Sequence, residues 1–316
     1  SDRLQKATSN GQDDPGNSLI VVRSGNTLTG SIRKDGKLYR LRPLGDRHIL
    51  VAVDETRMPA DHPADYNQLP KIPMADQDRI GIAQASSGTP ATIRVLVVAT
   101  NAAVAAYGGN MQSLVQLAVA ESNQGYANSN VGITMQLAGY ETTSYTESGN
   151  FTTDLARFRT TSDGYMDSIH ASRNSTTADV GVLLINNTSY CGLASGIGST
   201  AATAFAAVYW DCATGYYSFA HEIGHLQSAR HDIANDPSTS PYAFGHGYRY
   251  APATGTCRRT LMSHDCTRGC PRLHYWSTPH IRSNCLPIAI ARSSAPPLVL
   301  SLTNHTLPGF RLGVSR

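Results

Sequence analysis

Seven of the 11 histidines in this chain fall between His221 and His280. Three of them stand in the run His221-Glu222-Ile223-Gly224-His225-Leu226-Gln227-Ser228-Ala229-Arg230-His231, which constrains the fold more than any other stretch. At about 100° per residue, a helix puts His221 and His225 about 40° apart on one face and turns Phe219, Ile223 and Leu226 to nearly the opposite side. One face packs and the other can coordinate. Glu222 projects about 60° to 100° from the two imidazoles, outside the ligand set but within reach of a metal-held water. An unbroken helix would carry His231 about 9 Å beyond His225 and aim it away from a shared ion, so a three-histidine site requires the helix to break near Ser228. A surface helix would leave the spacing, the intervening Glu and the third His as unrelated coincidences. A site of two histidines with a remote Glu is the rival ligand set, and His231 and Met262 speak against it.

Three neutral imidazoles leave one position on Zn2+ open for water, the arrangement of a catalytic rather than a closed structural site. The ion would acidify that water and polarise a carbonyl, while Glu222 takes the proton and returns it to a leaving amine. Composition agrees with an enzyme domain. Hydrophobic residues make up 41% of the chain and charged residues 16%, which excludes wholesale disorder. A net charge of +3 is too mild for a dedicated nucleic-acid binder. Apolar runs such as Val95–Ala99 are far below the roughly 20 residues a bilayer requires. No membrane or nucleic-acid partner is expected, and protein or peptide substrates acted on by a monomer are. All six cysteines (Cys191, Cys212, Cys257, Cys266, Cys270, Cys285) lie in the C-terminal half. Their even number fits a secreted, disulfide-bearing protein, and the chain begins at Ser1 as if a leader had been removed.

Along the chain, residues 1 to about 17 are polar and read as an unstructured end. Ser18 to Asp54 alternates as a small antiparallel β unit with turns at Asp35-Gly36 and Gly45-Asp46. Five prolines (Pro59, Pro63, Pro70, Pro73, Pro90) then mark a linker, and the domain boundary is set at about residue 90. Beyond it, Ile93–Ala99 reads as a strand covered on both faces, and Asn110 caps a helix to about Tyr126. Strand Ile133–Leu137, helix Phe158–Ser172, strand Val180–Ile185 and two short strands at 192–198 and 204–210 follow. Strand and helix alternate, so the fold class is α/β or α+β with a twisted mixed sheet.

His221, Glu222, His225 and His231, followed by Leu261-Met262-Ser263, resemble the zinc motif and Met-turn of the metzincin metalloproteases. Asp232 after the third histidine resembles the reprolysin-like branch. More narrowly, Cys191-Gly192-Leu193-Ala194, the run from Tyr217 to His225, Arg259-Thr260-Leu261-Met262 and Gly269-Cys270-Pro271-Arg272 are similar to the bacterial peptidyl-Asp metalloendopeptidases, over roughly residues 20 to 282. The resemblance implies a zinc endopeptidase cutting on the amino side of Asp and made as a zymogen. It also implies a β-rich prosegment (1–90), a peptidase domain (91–285) and, because the usual closing polar helix is missing, an atypical tail (286–316). Met262 would floor the ligands and Asp232 would orient His231. Arg268, Arg272, Arg230 and Arg249 are the cations available to the acidic side chain.

Two positions depart from the family pattern: Ser228 replaces the usual Gly at the helix break, and His264 replaces a Tyr. These departures keep open a catalytically weak or inactive protein that binds a partner. No cysteine precedes Cys191, so latency cannot use a thiol from the N-terminal part. Asp61, His62 and Asp65 in the Pro-rich stretch are the groups available to approach the metal.

Overall fold

The computed structural model describes residues 4–7, 16–63, 66, 91–255, 257–267 and 269–277. Cys285, most of the Pro-rich linker and the atypical tail lie outside them. Five antiparallel strands open the chain: β1 (Leu4–Ala7), β2 (Ser18–Ser24), β3 (Thr27–Lys34), β4 (Lys37–Leu44) and β5 (Arg47–Val53), joined in sequence order. The alternation expected of 18–54 is present. Within the polar end, Leu4–Ala7 pairs along β2 as an edge strand.

The second sheet has the order β7 (Ile133–Thr143), β6 (Ala91–Thr100), β8 (Val180–Ile185), β10 (Phe205–Tyr209), β9 (Gly192–Ala194). The first four run parallel and β9 runs antiparallel at the edge, giving the expected mixed sheet. Its inner strands are apolar on both faces because both are covered. Val95, Val97, Val182 and Leu184 join one core, with helix α2 (Met111–Asn128) and the later active-site helix. Leu96, Val98, Leu183 and Ile185 join the other, with Phe151, Leu155 and Phe158. A short helix α1 (Asn101–Tyr107) follows β6, and Asn110 caps α2 as expected, its side chain accepting from the Ser113 N–H at 3.2 Å.

The helix expected over Phe158–Ser172 is instead two, α3 (Phe151–Arg159) and α4 (Ser168–Ser175). Between them Ser162 and Gly164 take positive φ (64° and 85°). The Asp167 carboxylate holds the N–H groups of Asp163 and Gly164, a local turn that outcompetes helix.

The two sheets meet across α2. Ile20 and Val22 pack on Leu117 and Ala120. The buried Arg33 guanidinium spans the junction, paired with Glu55 at 2.7 Å and donating to the Gly215 carbonyl at 2.9 Å. Glu121 on α2 accepts from the Ser31 hydroxyl of β3 and from the Gly215 N–H at 2.9 Å. Disulfides join Cys191 to Cys212 and Cys266 to Cys270, while Cys257 is a buried thiol. No described helix is long and apolar enough to cross a membrane.

Candidate metal centre

Helix α5 (Ser218–Leu226) carries the motif and is buried along its whole length. Phe219, Ile223 and Leu226 enter the core as their spacing requires. The opposite face presents His221 and His225, whose Nε2 atoms are 3.0 Å apart. The helix ends where His231 needs it to. Ser228 takes φ 77°, its N–H donates to the His225 carbonyl at 2.9 Å, and the Ala229 N–H donates to the Gly224 carbonyl at 2.9 Å. These two bonds make a Schellman cap with serine in the left-handed position normally given to glycine. The reversal brings His231 Nε2 to 3.2 Å from His221 Nε2 and 3.1 Å from His225 Nε2.

Three ring nitrogens this close have little reason to converge except around a cation. Tetrahedral ligands at about 2.0–2.1 Å from zinc would stand roughly 3.3 Å apart, close to the spacing observed. The outer nitrogens set the tautomers. His221 Nδ1–H donates to the Leu261 carbonyl at 2.7 Å and His225 Nδ1–H to the Ala229 carbonyl at 2.8 Å, which leaves both Nε2 lone pairs facing inward. Burial, reinforced by the neighbouring imidazoles, holds the pKa of all three rings well below the usual histidine value, so the rings are neutral.

A fourth ring joins the group, from one of the three residues named in the Pro-rich stretch as able to approach the metal. His62 reaches in from the stretch after the first sheet, its Nε2 2.8 Å from His221 Nε2 and its Nδ1–H donating to the Gly192 carbonyl at 3.1 Å. Burial pushes its pKa down to about 3. The four inner nitrogens lie within 4.8 Å of one another, as many donors as a four-coordinate ion takes. Tyr66 covers the group, stacked on His62 with ring centroids 4.2 Å apart.

Glu222 stands beside this cluster, fully buried, with Oε2 unpartnered and the Ala194 N–H facing its carboxylate. Burial, then repulsion from Asp61, raises its pKa well above the usual carboxylate value. Gly192 makes the space, since a Cβ there would overlap Glu222 Oε1. Beneath the ligands, Met262 and Trp276 press on Gly224, where a Cβ would meet Met262 Sδ at 2.8 Å and Trp276 Cζ3 at 2.7 Å. Among the bonds of the described residues, those of Asp232 run to other groups than the His231 ring. Its carboxylate accepts from the Asn235 amide at 2.9 Å and the His264 N–H at 3.1 Å, tying the motif loop to the segment after Met262. His264 packs edge-on against His231, ring centroids 4.2 Å apart.

The four sequence-named arginines separate clearly. Arg230 is buried against Asp236 at 2.6 Å and the Ser240 carbonyl, committed to its own loop because a carboxylate lies six residues downstream. It leaves the set of substrate-pocket cations. Arg249 is half-buried, 3.7 Å from Asp232, and Arg268 lies outside the described residues. Arg272 reaches the site. It meets Asp61 at 2.7 Å together with Arg259, which sequence reasoning missed, at 3.3 Å. Burial raises the Asp61 pKa, but the two guanidiniums outweigh it and hold the carboxyl far below its usual range. Asp65 lies outside the described residues.

Residues 89–277 match the reprolysin-type model described as Metallo-peptidase family M12. The peptidyl-Asp metalloendopeptidase of Stenotrophomonas maltophilia is 83% identical over 311 residues, which cover 98% of this chain and 75% of that protein. The enzyme of the same name from Xanthomonas campestris pv. campestris is 70% identical over 299 residues, covering 94% and 71%. A solved chaperone–substrate complex superposes with TM-score 0.50 at 16% identity over 90% of this chain and 40% of its own, a likeness of fold alone. With a match spanning the second sheet and the three motif histidines, the chain belongs to metallo-peptidase family M12 and is a metalloendopeptidase.

Proposed function

We propose that the protein is a secreted, monomeric zinc endopeptidase that cuts on the amino side of Asp and is made as a zymogen. Residues 1–90 are its prosegment, 91–285 its peptidase domain and 286–316 a tail. The observation that carries this reading is the convergence of the His221, His225 and His231 Nε2 atoms to within 3.2 Å. When bound, zinc supplies Lewis acidity toward a peptide carbonyl and toward water.

The chain's own residues do the rest. Three neutral imidazoles would hold the ion, and Met262 would give them an apolar floor. Glu222 is the general base. Its elevated pKa and unpartnered Oε2 fit it to take a proton from water and pass it to the leaving amine. His62 keeps the prosegment form latent by supplying a fourth nitrogen where water and substrate belong. The names of the relatives, with an acid-binding pair of arginines beside the cluster, support the preference for Asp. The two disulfides support export.

Digestion of a peptide library by the processed protein, with the cut sites mapped, tests this reading. Chelator-sensitive cuts preceding Asp are expected. Cuts with no acidic preference, or activity indifferent to chelators, would overturn it.

A further inference from the structure

Two buried cations meet the residue that precedes His62 of the metal cluster. The Arg259 and Arg272 side chains are 2% and 0% exposed, and a single parallel bridge sets their backbones side by side. Neutral groups hold the guanidiniums in place. Arg259 donates to the carbonyls of Cys270 (3.0 Å) and Ser263 (2.9 Å) and to the Tyr216 hydroxyl (3.1 Å), and Arg272 donates to the Tyr216 carbonyl (2.8 Å). None of these neutralises charge. Among the described residues, the carboxylates near the pair are Asp61, at 2.7 and 3.3 Å, the half-exposed Asp265, at 3.7 Å from Arg259, and the buried Glu222, which feels the charge of Arg272 without pairing with it. Loss of the segment bearing Asp61 leaves two desolvated guanidiniums short of an anion, which is costly until another carboxylate arrives.

We propose that Arg259 and Arg272 form the pocket that receives the acidic side chain of the substrate, and that Asp61 fills it in the unprocessed chain as an intramolecular substitute. The inference rests on the Asp-directed endopeptidase reading and assigns its specificity to particular residues. Asp61 uses the pocket incompletely, because its Oδ1 and the Arg272 Nε both lack partners. A guanidinium binds a carboxylate best through two parallel bonds, so a substrate side chain free to turn can engage more donors than Asp61 does.

The backbone explains why Asp61 is bound and not cut. Its segment lies along the sheet edge beside β9, the Cys191 N–H donating to the Ala60 carbonyl at 2.8 Å and the Gly192 N–H to the Asp61 carbonyl at 3.2 Å. The bond on the amino side of Asp61 is Ala60–Asp61. Its carbonyl oxygen is thus committed to Cys191, while the His62 ring stands at the metal ligands in its place.

Two measurements decide the proposal. The first compares kcat/KM of the processed protein on peptides identical except for Asp or Asn after the cleaved bond. Arg259→Gln and Arg272→Gln should each shrink the Asp-over-Asn ratio by about 10- to 100-fold, the worth of one charged hydrogen bond, while turnover of the Asn peptide changes far less. Arg272→Lys, which keeps the charge but not the fork, should shrink it less. An undiminished ratio in both glutamine variants overturns the pocket and leaves the endopeptidase reading standing. Cleavage of neither peptide by the wild type counts against that reading itself, and the second measurement then judges the pocket alone. In the full chain, Asp61→Ala should lower the melting temperature, and N-acetyl-aspartate should raise it again, but not in Asp61→Ala/Arg272→Gln. Equal response of the two variants to the acid overturns the proposal.

Discussion

His62 Nε2 stands 2.8 Å from His221 Nε2, although 159 positions separate the two residues. An imidazole so placed would compete with water and a substrate carbonyl for the metal. His62→Ala should therefore raise peptide hydrolysis by the full, unprocessed chain on the order of 100-fold, the scale on which a tethered ligand outcompetes a free one. A continuous fluorogenic assay started before processing checks this. Equal rates for variant and wild type would remove His62 from the latency mechanism.

Glu222 needs both its carboxylate and the empty space beside Gly192. Glu222→Gln should lower kcat by about 10²–10⁴-fold, the contribution of a positioned base, while the protein still retains its zinc. Gly192→Ala should cost about 10²-fold through displacement of an intact Glu222, since the new Cβ would overlap Oε1. Metal analysis beside steady-state kinetics separates lost chemistry from lost metal.

Glu121 ties the first sheet to the second, and its pKa is raised from 4.5 to about 7, chiefly by burial, against the hydrogen bonds from Ser31 and Gly215. The fold favours the protonated acid. Its contribution is therefore fully present below about pH 4.5 and lost as pH rises through about 7, a change on the order of 3 kcal/mol. Glu121→Gln keeps a neutral group there, so the stability gap between variant and wild type should widen in the variant's favour from about pH 4.5 to about 7 and then level off. Thermal melts from acid to mildly alkaline pH measure the gap, and a constant gap would contradict the assignment.

Ser228 holds a left-handed conformation at φ 77° that glycine adopts freely. Ser228→Gly should raise unfolding stability by about 1 kcal/mol without disturbing His231. Denaturant titration gives the stability, and unchanged zinc content reports on the ligand.

Legibility in the sequence followed contact distance along the chain. The metal helix and its break at Ser228 are set by spacings of a few residues and by local backbone needs, and these stood in the sequence, whereas Met262 was named only through the family resemblance. Strand Val180–Ile185 was readable to its ends because a strand covered on both faces is continuously apolar. Arg259 stood in one of the motifs of the resemblance, but its place beside the metal cluster was not readable, because its carboxylate partner lies 198 positions upstream. The opposite error occurred at Arg230, where Asp236 six residues on was a visible local partner. The Asp61-His62 pair could be named as able to approach the metal. Which of the two caps it and which meets the arginines depended on how the segment crosses β9.

Zinc K-edge X-ray absorption of the full chain tests the account most directly. The predicted first shell is four nitrogens at about 2.0 Å in the wild type, with one exchanged for oxygen in His62→Ala. Sulfur in that shell, or a shell unchanged by His62→Ala, would contradict a centre of three motif histidines closed by a fourth from the N-terminal segment.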